Sequence, residues 1–381
     1  MTHFDQLLDT LDPDQKKAAI STANTVIAAG AGSGKTRVLA TRYLNLLINR
    51  KIPVDEIYAL TFTQKAASEM NARIYASLAS VSDPEAHEAL NSFDKANIST
   101  IDALCNKIAR KACAAYGVSP DFRIDNNEAI KLADNLALPY FIEHRASPAI
   151  RQLMKRFSLA DLPGALFTEP MIRWSTVSSP LDFDAFYRTQ KQEIAARFRP
   201  TAETIVRILS RLPDLCHIKN ATTEAVLKHL KTIPEVPDST DREALISFIA
   251  SYENINTVRM PGNVAKSELV ELKELLSQLR YSICPDFSAL ANWVLNESLL
   301  KETLDLLSGF QDLYLRAKRT AGILTFADVS RMAVDALTAD PDLRSAWKRN
   351  TTALMIDEFQ DDNSLQRDLL YLLAEHPDRR E

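Results

Sequence analysis

Glycine is scarce in this chain, eight in 381 residues, and several features that mark whole protein classes are missing altogether. No run approaches the roughly 18 apolar residues of a membrane span. Asp5 and Asp9 break any signal-peptide pattern at the start. Cysteine is limited to Cys105, Cys113, Cys216 and Cys284, far apart and without a CxxC pair or a nearby histidine cluster. That argues against a disulfide framework or a metal site and predicts four reduced, buried thiols. No excess of basic charge exists either. The net charge of −5 offers no global attraction to nucleic acid, so any such contact must come from a local groove of Lys and Arg. Fixed-period repeats and low-complexity tracts are absent. What remains is an ordinary globular balance, 46% hydrophobic and 25% charged, in a chain long enough for two or three domains. A cytoplasmic location is the expectation.

Scarce glycine makes its concentration informative: three of the eight fall within "AAGAGSGKTRV", residues 28–38. The preceding "TVIAA" (25–29) is an apolar run that predicts a short buried strand, as do "IYALTF" (57–62), "NIST" (97–100) and "TALMI" (352–356). A helical pattern follows each one. Strand and helix in alternation predict an α/β fold with a parallel, doubly wound sheet. Residues 107–350, 244 positions, lie between the third and fourth of these units and carry mostly helical patterns. "NNEAIKLADNLALPYFIEH", "TAETIVRILSRL", "SELVELKELLSQLRYSI" and "LLKETLDLLSGFQDLYLRAKRTA" all space Leu, Ile and Val by three and four. They predict a large, mostly helical inserted domain, with "LPGALFTEP", "TIPEVPDST" and "RMPGNV" as loops between helices.

In such a sheet, ligands bind at the carboxyl ends of the strands, where helix amino termini converge. "AGAGSGKT" (29–36) follows the first strand and matches the phosphate loop G-x-x-x-x-G-K-[ST], with Ala29 where the pattern asks for Gly. Gly30, Ala31, Gly32, Ser33 and Gly34 form the turn that aims backbone N–H groups at phosphate oxygens. Lys35 then reaches the β- and γ-phosphates and the Thr36 hydroxyl holds Mg²⁺. A phosphate loop needs a carboxylate site for the metal and the water. "TALMIDEFQDD" supplies one, with Asp357 placed for the Mg²⁺ shell and Glu358 for the attacking water. The cofactors implied are ATP and Mg²⁺. The bland alternatives are a glycine turn and an acidic cap of the next helix.

The set "LDPDQKKAAI" (11–20), "AGAGSGKTR" (29–37), "ALTFTQKAASEMNARI" (59–74), "ISTIDALC" (98–105) and "MIDEFQDDNSLQ" (355–366) resembles the opening motifs of UvrD/Rep/PcrA-type superfamily 1 DNA helicases. The long insertion and "GILTFADVSRMAVDAL" (322–337) look most like the RecB and AddA branch, although a capping box of Thr325 and Asp328 accounts for "TFAD" equally well. The resemblance implies a RecA-like motor domain of residues 1–110 plus 345–381 and a helical insertion of residues 111–344. It implies that Gln15 reads the adenine edge, that Arg37 lies near the nucleotide, and that Gln360 links nucleotide state to DNA grip. It places Phe62, Thr63 and Lys65, and likewise Ser99, Thr100 and Asp102, on single-stranded DNA, with helix capping as the competing role. Lys107, Arg110 and Lys111 share a helix face that either extends this path or is simply solvated.

By the same resemblance the chain spans roughly the first half of a helicase core, short of the glutamine motif and the second motor domain. A sheet lacking a central strand, with an exposed apolar edge, is expected. The implied activity is ATP-dependent translocation on and unwinding of DNA, 3′ to 5′, in repair and recombination. A second helicase-nuclease subunit is the implied partner, and no membrane is. A stand-alone ATP- and single-strand-binding module is the competing function.

Overall fold

The computed structural model describes residues 3–30, 33–175, 180–261 and 269–375. They fall into two compact units: Met1–Leu136, Thr168–Pro180 and Leu313–Glu381 in the first, Ala137–Phe167 and Leu181–Asp312 in the second. No helix among the described residues is long and apolar enough to cross a membrane. All four cysteines are free and buried, and burial pushes the Cys105 thiol up to about 12.

The first unit is built on β1 (Ile57–Thr61), β2 (Asn97–Thr100) and β5 (Ala353–Ile356), all parallel in the order β2-β1-β5. Central β1 is buried along its whole length, which is why its sequence carries an unbroken apolar run. Its side chains alternate between two cores. Ile57 and Ala59 join Tyr43, Leu44 and Leu47 of the Lys35–Ile48 helix and Met70, Ile74 and Leu78 of the Gln64–Ala79 helix. Tyr58 and Leu60 face the other way, onto the Ile101–Ala112, Phe326–Ala339 and Ser364–Ala374 helices. Helices on both faces make the sheet doubly wound, as the alternation of patterns predicts.

One expected strand does not form. Residues 24–30 have no regular structure, Val26 is 98% exposed and Ile27 is 42% exposed. β-Branched composition gives a strand only where a neighbour supplies the hydrogen-bond ladder, and among the described residues no strand pairs with this segment or with the outer edge of β5.

A second, two-stranded parallel ladder has no signature in the sequence: β3 (Arg123–Ile124) pairs with β4 (Ile323–Leu324), across 200 residues. Two residues per strand leave too short a pattern to detect. Side chains reinforce it. Thr325 caps the Phe326–Ala339 helix in a capping box with Asp328, whose carboxylate also receives Lys318 Nζ at 2.6 and 2.7 Å. Lys318 is 1% exposed and lies over the Tyr314 ring at 4.5 Å.

The second unit is helical throughout most of its described residues. The Phe183–Leu215 helix carries Phe198, Ile205 and Leu209 into a core with Phe248, Tyr252 and Phe287. "TIPEVPDST" is irregular, as its prolines predict, and half of "RMPGNV" lies outside the described residues. "LPGALFTEP", by contrast, is not a loop. Gly164–Thr168 coils as a wide helical turn into the Glu169–Ser175 helix. The reason lies in Phe167, fully buried at 5.1 Å from the Tyr140 ring and 5.0 Å from Phe310. Burying an aromatic of that size outweighs a weak local preference for a turn.

Candidate phosphate-binding site

Three parallel strands deliver their carboxyl ends to one edge of the first unit, and the motif residues follow them there. β1 ends at Thr61 and leads into Phe62 and Thr63; β2 ends at Thr100; β5 ends at Ile356 and leads into Asp357 and Glu358. Asp357 N–H donates to Leu60 O at 2.9 Å, so the β5 ladder runs one residue past the strand and fixes the first carboxylate. The Lys35–Ile48 helix starts beside them. Its cap is Gly34, in the left-handed region at φ 80°, where a side chain would be strained and where a Cβ would lie 3.4 Å from Gln15 Nε2.

Lys35 Nζ lies 2.9 Å from Glu358 Oε1, joining positions far apart in sequence. The Gln360 amide donates to the other oxygen of the same carboxylate. Glu358 sits in the left-handed region at φ 56°, one of two non-glycine residues with positive φ among those described. These contacts set the charges. The Lys35 hydrogen bond, then the Gln360 amide, hold the Glu358 carboxyl below its usual range, and Glu358 raises Lys35 in return. Half-buried Asp357 goes the other way, raised first by burial and then by Glu358. Two adjacent carboxyls are therefore pushed apart, a pattern typical of groups with different chemical duties.

Gln15 belongs to this site as well. It completes a capping box with Asp12 at the start of the Pro13–Ile20 helix and donates Nε2–H to Ser33 O at 3.1 Å. Its carboxamide therefore touches the phosphate loop directly. Thr36 is half-buried; Arg37, Ser33, Ala29 and Gly30 lie in the same segment, all four exposed. Ala31 and Gly32 lie outside the described residues. Among the described residues no group of three or more His, Cys, Asp and Glu could hold a metal on its own. Mg²⁺ is typically held by one or two carboxylates with waters and substrate phosphates rather than by a protein cage. Asp357 and the Thr36 hydroxyl fit that role.

Beside the phosphate site, the hydroxyls have local duties. Thr63 Oγ1 accepts from Ala66 N–H at 3.1 Å and Thr100 Oγ1 from Ala103 N–H at 3.1 Å, each capping the helix that follows its strand. Thr100 is 9% exposed. Phe62 is 49% exposed, and the Lys65 side chain, 88% exposed, lies 3.9 Å from Glu69. Ser99 Oγ donates to Thr100 O at 3.3 Å, and Asp102 accepts from Gln366 at 2.9 Å. The Ile101–Ala112 helix runs back along the sheet, so its cations leave this edge: Lys107 donates to Asn97 at the start of β2. Arg110 bonds the Pro120 and Phe122 carbonyls, and Lys111 lies 4.8 Å above Trp347.

Two residues of this edge, both inside "MIDEFQDDNSLQ" (355–366), carry no assigned role in the sequence reading. Asp362 is 6% exposed with both carboxylate oxygens buried and unbonded; Gln366 is 3% exposed and fully engaged. The motif itself and the spacing of Asn363 and Gln366, a capping box at the start of the Ser364–Ala374 helix, are the signals that point to the second.

The family model described as the UvrD/REP helicase N-terminal domain matches residues 11–379. The A subunit of the ATP-dependent helicase/nuclease of Streptococcus pyogenes serotype M3 (strain ATCC BAA-595 / MGAS315) is 25% identical over 414 aligned positions, covering 95% of this chain and 33% of that protein. The same-named proteins of serotype M1 and of serotype M49 (strain NZ131) match with the same identity and coverage. The chain thus spans about a third of the length of these relatives.

Proposed function

The chain belongs to the UvrD/REP helicase N-terminal domain family, and on that premise we propose that it is the ATP-binding part of a DNA helicase that couples ATP hydrolysis to movement along a single strand. The observation that carries this reading is the Lys35–Glu358 pair at 2.9 Å, which sets the phosphate-loop helix against the acidic end of β5. On binding ATP, Lys35 leaves Glu358 for the β- and γ-phosphate oxygens, and the amino terminus of the Lys35–Ile48 helix adds its partial positive charge. Thr36 and Asp357 hold Mg²⁺, which neutralises charge developing on the phosphates. Glu358, freed from Lys35, orients the attacking water and takes its proton. Gln15 reads the adenine edge and Arg37 lies near the nucleotide.

Phe62, Thr63, Lys65, Ser99, Thr100 and Asp102 then mark the strand ends turned to single-stranded DNA, with exposed Phe62 and Lys65 making contact, Phe62 by stacking on a base, and the Thr63 and Thr100 hydroxyls kept as helix caps. Gln360, bonded to Glu358, links nucleotide state to that face. Residues 1–110 plus 345–381 act as the motor domain and residues 111–344 as a helical insertion, of which the Phe326–Ala339 helix returns to cover one face of the motor's sheet. The whole protein is a cytoplasmic 3′ to 5′ helicase of repair and recombination, working with a second helicase-nuclease subunit. Steady-state ATP hydrolysis with and without single-stranded DNA tests the reading, with Lys35→Ala as the reference. Turnover stimulated by DNA and lost in Lys35→Ala is expected. ATP hydrolysis that survives Lys35→Ala overturns the assignment.

A further inference from the structure

We infer that Gln366 is a positioning residue that makes the nucleotide site and the β2 end respond to each other; this deepens the function proposed above and rests on it. The sheet order β2-β1-β5 keeps the strands leading to Thr100 and to Glu358 from pairing, because β1 lies between them. Gln366 reaches across. One amide proton goes to Asp102 Oδ1 at 2.9 Å, while its oxygen accepts from Asn363 N–H at 3.0 Å and its backbone N–H donates to Asn363 Oδ1 at 2.9 Å. The carboxamide has one workable orientation. Flipped, its oxygen would oppose the Asp102 carboxylate and its NH₂ would oppose the Asn363 N–H.

Both ends of this bridge lie near proposed working parts. Asp102 stands two positions after Thr100, and Asn363 stands five after Glu358, at the end of the short turn Phe359–Asp361 that carries Gln360. Asp362 makes the arrangement sensitive. It is a buried carboxyl without a hydrogen-bond partner, with Asp102 and Asp361 as like-charged neighbours and Arg367 as the opposing charge. A shift of the Glu358 turn changes the distance between Asp362 and Asp102, and the Gln366 bridge carries that shift to the start of the Ile101–Ala112 helix. Two sites coupled through one discrete contact must influence each other reciprocally.

The test measures the affinity of this chain for a fluorescent oligo-dT single strand, with and without Mg²⁺ and a non-hydrolysable ATP analogue. Wild type is expected to show a ratio of about fivefold or more between the two affinities. Gln366→Ala keeps each ligand's affinity measured alone within about twofold and brings the ratio to about one. If Gln366→Ala does not fold, Asp102→Ala breaks the same bridge from its half-buried end and must also abolish the ratio. Asp102→Asn, whose amide oxygen still accepts from Gln366, restores it. A ratio that persists in Gln366→Ala or Asp102→Ala, or a wild type that binds both ligands with no ratio, overturns the inference. Failure of the wild type to bind the nucleotide in a Lys35-dependent way overturns the proposed function instead.

Discussion

Glu358 is held in a backbone conformation that glycine favours, at φ 56°, and a side chain there costs on the order of 1 kcal/mol or more. The ion pair with Lys35 and the Gln360 amide keep it in place. Four positions on, Asp362 has burial without compensation. Burial, then Asp361 and Asp102, raise its carboxyl to about 6. Between about pH 4 and pH 6 the unfolded chain has released this proton and the folded chain still holds it. The stability linked to it is therefore fully present below about pH 4 and is lost as pH rises through about 6, a change on the order of 2 kcal/mol. Asp362→Asn removes that titration. Urea unfolding of the variant should show a raised midpoint at pH 8 and little change at pH 4.5; a midpoint lowered at pH 8 contradicts the assignment.

Among the elements, helix starts follow the sequence closely. Asp12, Asn220, Thr325 and Asn363 each cap a helix in a reciprocal box with the residue three further on. Such boxes are local, so a chain can be read for them without its tertiary structure. A helix interior can hide the opposite kind of information. Gly309 sits inside the Glu297–Ala321 helix, where alanine would normally gain about 0.5–1 kcal/mol. A Cβ there would clash with Tyr140 Oη, which donates to Leu306 O at 3.1 Å. Gly309→Ala should therefore destabilise the protein by about 1–3 kcal/mol in chemical denaturation. In a Tyr140→Phe background the nearest ring carbon is at 3.6 Å and the same change should become neutral or favourable. An equal loss in both backgrounds would show that the hydroxyl is not the obstacle.

At the scale of the whole molecule, both outer edges of the main sheet are unpaired among the described residues, and the apolar segment around Val26 is exposed. Open edges beside exposed apolar side chains favour association between copies. Sedimentation velocity should show an apparent mass that rises with concentration, and Val26→Lys with Ile27→Lys should lower it. One concentration-independent species in both proteins would refute this. The two units also differ in how legible they are in the sequence. The helical patterns of the second unit repeat over many turns and survive reading residue by residue, whereas the β3 and β4 pairing of the first rests on two residues at each of two distant places.

The sequence by itself determined the alternation of strand and helix, the phosphate-loop pattern and the acidic pair, because each depends on neighbouring residues and on local backbone geometry. Tertiary structure alone decided that "TVIAA" stays unpaired, that Lys35 meets Glu358, and that Gln366 bridges to Asp102. Each of those depends on which distant segment lies alongside, and a hydrogen-bond ladder or an ion pair exists only when both partners are in place.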